Sequence, residues 1–170
     1  MMKDQFIEQQ GIYLLSHSVG LPQKTAKSAA DLGFWQPWMA GNEKIWDYWL
    51  GEIERFRGQL GRLLNSDASH FCPQTTISSA VNKIIFSLTP ETHKNIILMS
   101  EEDFPSVAYA LQQSKTLGYH MRYIPAGLNL NDLDVWNQYL SDDVALVLVT
   151  QVQSNNGVQL PIEAITAMAS

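Results

Sequence analysis

At 170 residues the chain is long enough for a domain with a real core, and 45% hydrophobic with 16% charged residues is a globular composition rather than a disordered one. A formal net charge of -6 with no long basic run argues against nucleic acid as the main partner. A single cysteine, Cys72, excludes a disulfide framework within the chain, the scattered histidines make no metal-ligand spacing, and no apolar run approaches membrane-spanning length.

The N-terminus, residues 1–8, is polar and mixed in charge and lacks the apolar stretch of a secretory signal, so a cytoplasmic, soluble protein is expected. Residues 12–15 form a short apolar segment, read as extended, and 16–20 a turn. Residues 22–32 have helical composition, with Pro22 well placed near a first turn. Residues 33–41 are aromatic-rich and bounded by glycines, which reads as a loop. The clearest helix spans 43–64. Its apolar residues Ile45, Trp46, Trp49, Leu50, Ile53, Phe56, Leu60, Leu63 and Leu64 recur in steps of three and four, which places them on one stripe expected to be buried. Residues 65–67 end it, and 68–71 could make a very short strand.

A second helix is expected over 77–88, opened by Thr75 and Thr76 as cap candidates and closed by Thr89 and Pro90. Residues 96–99 read as a buried strand, 105–117 as a helix ended by Gly118, 119–124 as a strand and 130–140 as a helix or helical turn. Residues 144–150 are apolar on both faces, as a central parallel strand should be. Pro161 starts a last helix. The expected fold is therefore α/β: β-α-β units of a mainly parallel sheet over 67–170, preceded by an α-helical N-terminal arm over 1–66. A helix that follows a crossover should lead to another strand; none follows Pro161 here, as if a longer design were cut.

Three places carry candidate chemistry. Residues 75–79 run into a helix start, where hydroxyls and unpaired N–H groups can hold a phosphate; the ordinary alternative is plain capping by Thr76. Phe104 follows the polar turn 100–103 and precedes Pro105, so it can stack on a planar ring, or it can pack on the helix as a staple. Residues 151–157 follow a strand and can reach a ligand crevice, although Asn156-Gly157 is also a turn signal. Trp35 and Trp38 can wall a pocket, meet a partner subunit or form a satellite core. The histidines show no triad partner, and Cys72 reads as a small hydrophobe.

In order, these pieces resemble the class V, fold-type-I family of pyridoxal-phosphate enzymes, and kynureninase-like members most. Residues 13–21 are similar to the family's YLxxNSLGL stretch, 75–82 to its SxxTxxxN phosphate turn, 103–106 to FPSD, and 149–163 to SHVxxxTG with the following proline. The resemblance implies pyridoxal 5'-phosphate as cofactor and a small-molecule amino-acid substrate. It implies a phosphate held by Ile77 and Ser78 with Thr76 nearby, a ring stacked on Phe104, Ser154 facing the cofactor's phenolic oxygen, and His17 and Ser18 near the substrate entrance. Three positions depart from the pattern: Val107 stands where kynureninases carry Asp, and His17 and Ser154 where Asn is usual. In that family the Schiff-base lysine and the aspartate at the pyridinium nitrogen lie beyond the helix at Pro161. No lysine here sits in a matching context, so covalent attachment of cofactor by this chain alone is not expected, and no catalytic residue is assigned. The reaction implied is hydrolytic Cβ–Cγ cleavage. The alternatives are another class V aminotransferase, desulfurase or lyase, or an inactive product that acts only by association. No metal or membrane role is expected, and the resemblance implies a homo-oligomer, a dimer first.

Overall fold

The structure, a computed structural model, describes residues 2–169. Contacts divide the chain into two units, Met1–Pro73 and Gln74–Ser170. The division falls after the 3-10 turn Ala68–His70, because that turn folds back on the helix before it.

In the first unit, a 3-10 turn at Met2–Gln5 is followed by an isolated antiparallel bridge between Phe6 and Gln23. Residues 12–15 pair with no strand, and Ile12, Leu14 and Leu15 are exposed. Helix α1 (Ala26–Ala30) starts later than Pro22 and runs without a break through a π-helical turn (Asp31–Trp35) into α2 (Gln36–Met39). The expected aromatic loop is thus helical. Gly33 costs a helix only ~1 kcal/mol, and Pro37 occupies the first turn of α2, where its missing N–H is not needed. Helical spacing brings Phe34 edge-on to Trp38, with centroids 5.6 Å apart, and stacks Trp35 on Trp38 at 5.9 Å. Phe34 also stacks on Trp49, at 4.9 Å.

Helix α3 (Ile45–Leu63) has the expected extent. Its apolar stripe is not buried: Trp46, Leu50, Ile53, Phe56, Leu63 and Leu64 are exposed, Ile45, Trp49 and Leu60 are half-buried, and only Gly61 is buried. The periodicity predicts which residues share a face, and here little packs over that face. Asn65, at φ 52, reverses the chain, one of the few non-glycine residues suited to that region. Ser66 N–H then donates to Gly61 C=O at 2.9 Å, and Arg57 Nε to Ala68 C=O at 3.2 Å. A Cβ at Gly61 would stand 2.7 Å from the Ser66 carbonyl oxygen, so the return requires glycine. Residues 68–71, read as a possible strand, instead contain the 3-10 turn, because Asp67 caps it by accepting from Ser69 N–H at 2.8 Å.

The second unit is built on a parallel sheet of order β2-β1-β3: β1 (Ile96–Ser100), β2 (His120–Ile124) and β3 (Val144–Val147). Ile96 pairs with His120 on one side and Val144 on the other. Among the described residues β1, not β3, is the central strand, and β3 has one neighbour. Burial on both faces is therefore most complete in β1, where Ile97, Leu98 and Met99 have essentially no exposed surface. Alternation sends Leu98 to one face, packed with Ile124, Val135, Trp136, Leu160 and Ile165 from β2, α6 (Leu133–Tyr139), the following loop and α7 (Ile162–Met168). Ile97 and Met99 face the other side, against Ile85 of α4 (Ile77–Phe86) and Val107 and Leu111 of α5 (Pro105–Gln112). Helix α5 tightens into a 3-10 turn that Gly118 ends at φ 98. No described helix is long and apolar enough to cross a membrane.

At the N-terminal end of the sheet, Arg122 forks onto Asp143, with Nη1 3.0 Å from Oδ1 and Nη2 2.6 Å from Oδ2, and Ser141 adds its hydroxyl at 2.6 Å. Hydrogen bonds from Arg122 first, then Ser141, hold the Asp143 carboxyl below the ordinary aspartate range. A depressed folded-state pKa contributes stability that is whole above the unfolded-state pKa and is lost as pH falls through the folded value. Asp143→Asn should therefore flatten the acid limb of a plot of urea midpoint against pH, and an unchanged limb would contradict this. In the same assay at neutral pH, Leu98→Ala should cost ~2–5 kcal/mol. Ile53→Ala, at a half-exposed site, should cost about 1 kcal/mol or less. Equal losses would mean that the stripe on α3 is covered after all.

Candidate active-site crevice

The site is assembled at the C-terminal ends of the strands, all within the second unit. Thr76, in extended conformation (φ -150, ψ 160), is the N-cap of α4, and its Oγ1 accepts from Ser79 N–H at 3.1 Å. That settles the capping alternative: Thr76 does cap. Its oxygen is used as an acceptor, which leaves its O–H proton as a donor. The next two N–H groups, of Ile77 and Ser78, are the first of the helix and have no intrahelical partner. Ile77 projects outward with 71% of its surface exposed. Gln74 braces the same turn, its Oε1 accepting from Lys83 Nζ at 2.6 Å and from Ser79 Oγ at 3.4 Å.

Ser78 Oγ reaches the C=O of Ser106 at 3.4 Å, which sets the start of α4 beside the start of α5. Phe104 is the N-cap of α5 and gives it no side-chain cap; Pro105 follows in the first turn. Phe104 is 58% exposed as a residue, so it is not the core residue of the alternative reading. Exposure of an aromatic at the end of the central strand leaves a ring face for a flat ligand.

The turn 100–103 holds this arrangement. Asp103 is buried, and its Oδ2 accepts from Ser100 N–H at 3.0 Å. Its Oδ1 accepts from Thr150 Oγ1 at 2.6 Å and from Gln153 Nε2 at 3.3 Å. Glu101 Oε2 accepts from Ala126 N–H at 2.9 Å, and Glu102 accepts from Gly127 N–H at 3.2 Å and from Asn156 Nδ2 at 3.4 Å. The three acids in a row thus hold the chain after β2 on one side and after β3 on the other.

Ser154 lies on an exposed loop closed by a Val152–Gln159 bridge, with Gly157 at φ 71. Gln153 N–H donates to Val158 C=O and Gly157 N–H to Gln153 C=O, both at 2.9 Å, and Asn156 Oδ1 accepts from Val158 N–H at 2.9 Å. Turn and crevice wall are the same loop. The Ser78–Ser106 bond sets the starts of α4 and α5 side by side, with Thr76, Ile77 and Ser78 on one and Phe104 on the other, and Ser154 directly follows Gln153, whose side chain bonds Asp103. His17 and Ser18 lie on an exposed turn of the first unit, where Ser18 N–H donates to Leu15 C=O at 2.9 Å. Sequence reasoning did not single out Asp103, Thr150 and Gln153. Their signal was that polar residues follow two buried parallel strands at the same end of one sheet.

The aminotransferase class-V family profile matches residues 50–170. The chain belongs to the aminotransferase class-V family. A kynureninase of Deinococcus radiodurans is 27% identical over 168 residues, which is 93% of this chain and 39% of that protein. The chain thus spans about two-fifths of the length of that relative. Among solved structures, the cystine C-S lyase C-DES with its product cysteine persulfide superposes with a TM-score of 0.77 at 18% identity, over 89% of this chain and 41% of that one. A C-DES variant carrying glycine covalently linked to its PLP cofactor gives the same TM-score. A NifS-like protein gives 0.59 at 17% identity, over 69% of this chain and 33% of that one. At these identities the structural likeness speaks for the fold, which is the α/β fold expected from the sequence. The class-V match covers the whole of α4, β1 and α5, and so the whole of the crevice described above.

Proposed function

We propose that this chain supplies the cofactor crevice of a pyridoxal-phosphate-dependent enzyme acting on an amino acid, with hydrolytic Cβ–Cγ cleavage of the kynureninase type as the reaction. The observation that carries the reading is an exposed Phe104 opening α5, whose first turn the Ser78–Ser106 bond sets beside the start of α4, after a central parallel strand in a class-V chain. The residues fit the group. A phosphate suits the N–H groups of Ile77 and Ser78, the free proton of Thr76, and the Ser78 hydroxyl once its proton turns from the Ser106 C=O, all at the positive end of a helix. The Phe104 face suits a pyridine ring and excludes water from one side of it. The Ser154 hydroxyl suits the ring's phenolic oxygen. When bound, the cofactor supplies an electron sink for the bonds around the substrate's amino-bearing carbon. The chain's own residues hold, orient and shield it.

The departures at His17, Val107 and Ser154 weigh against kynurenine as substrate and leave room for a second reaction class, carbon–sulfur cleavage of an amino acid, the reaction of the cystine lyase that shares the fold. Kynurenine and cystine offered in parallel to the enzyme separate the two. The same reading includes a cytoplasmic location and self-association, for which the exposed apolar residues of α3 offer surface.

Pyridoxine 5'-phosphate carries the ring and the phosphate but no aldehyde, so it tests the crevice without any lysine. In a calorimetric titration of the chain it should bind saturably, be displaced by inorganic phosphate, and lose ~1 kcal/mol of affinity in Phe104→Ala. Absence of binding, or equal affinity in Phe104→Ala, would falsify the assignment.

A further inference from the structure

The crevice depends on one buried carboxyl group that the cofactor roles leave unused. Asp103 is 6% exposed and Gln153 2% exposed, and the two side chains bond each other across 50 positions of sequence. Thr150 donates to the same oxygen, and Ser100 N–H to the other. Asp103 is therefore the buried side chain that joins the end of β1 to the segment after β3, beside the longer and exposed contact from Asn156 to Glu102. Its immediate successor is Phe104. The immediate successor of Gln153 is Ser154.

We propose that Asp103 is the positioning residue of the crevice: its carboxyl group fixes Gln153 and Thr150, and so sets the spacing between the Phe104 ring and the Ser154 hydroxyl. The identity of the ligand between them rests on the cofactor reading above; the mechanical role does not. Burying a carboxyl group is costly unless donors surround it, and here both oxygens are engaged. With that link broken, the loop at 151–159 keeps only its own turn hydrogen bonds and the long contact from Asn156 to Glu102. The backbone of β1 keeps its ladders to β2 and β3 in either case. The expected consequence is local loosening of one wall, with the sheet unchanged.

The test is amide hydrogen exchange on the whole chain, beside titration with pyridoxine 5'-phosphate. In Asp103→Leu the amides of Gln153, Gly157 and Val158 should exchange faster by about tenfold or more, since bonds to a buried acid are among the stronger ones. The amides of Leu98 and Met99 should keep their wild-type rates. Asp103→Asn should stay within about threefold of wild type, because the Gln153 amide can turn its oxygen to the new donor. Affinity for pyridoxine 5'-phosphate should follow the same order. If Asp103→Leu does not fold, Gln153→Leu, which keeps the acid in place, decides the matter by the same loop amides.

Unchanged loop exchange overturns the proposal. So does acceleration spread equally over Leu98 and Met99, which would make Asp103 a residue of general stability. If the wild-type chain binds no pyridoxine 5'-phosphate, the cofactor reading fails by itself, and the positioning role stands or falls on exchange alone.

Discussion

The hydrogen bonds of the turn 100–103 are the constraint on which the loops beyond the strand ends of the second unit depend. A parallel sheet fixes its strands through backbone ladders, but the ladders say nothing about the loops beyond the strand ends. Here that task falls to three consecutive acids. Glu101 and Glu102 take the N–H groups of Ala126 and Gly127 after β2, and Asp103 takes Thr150 and Gln153 after β3. A run of carboxylates at the mouth of the crevice proposed to take a phosphate looks electrostatically wrong in isolation. It becomes reasonable once each acid is engaged by donors: charge there is committed to structure, while the positive end of α4 is left open.

Phe104 follows directly from this. It is held between an anchored Asp103 and Pro105, whose ring fixes the first turn of α5. A residue so placed lies outside the core, and 58% of its surface is exposed. An exposed phenylalanine costs solvation that a folded chain normally recovers by burial. It opens α5 after the central strand, and the Ser78–Ser106 bond sets that start beside α4, whose first N–H groups lack intrahelical partners; the flat anionic ligand proposed above would use both.

Much of this was legible in the sequence, and the reasons differ from element to element. Helix α4 was legible because Thr76 and the apolar spacing agree on its start, and β1 because its apolar run is buried on both faces. The aromatic segment 33–41 was misread because flanking glycines are a loop signal, whereas helix-spaced aromatics and a proline in the first turn decide the local structure. Residues 144–150 read as a central strand because apolar content reports burial, not strand order. The stripe on α3 showed the same limit from the other side: spacing names a face, and only a neighbour buries it. Asp103 was hidden because its partners lie about 50 positions downstream, a distance that no local pattern spans.

Family membership gives the fold its frame, while the crevice is argued from the chain's own geometry. A crystal structure of the chain soaked with pyridoxine 5'-phosphate tests that argument most directly. The account predicts the phosphate on the N–H groups of Ile77 and Ser78, the ring on the face of Phe104, and the Asp103 contacts to Thr150 and Gln153 retained. A ligand bound elsewhere, or bound at α4 with Phe104 turned away from the ring, would contradict it.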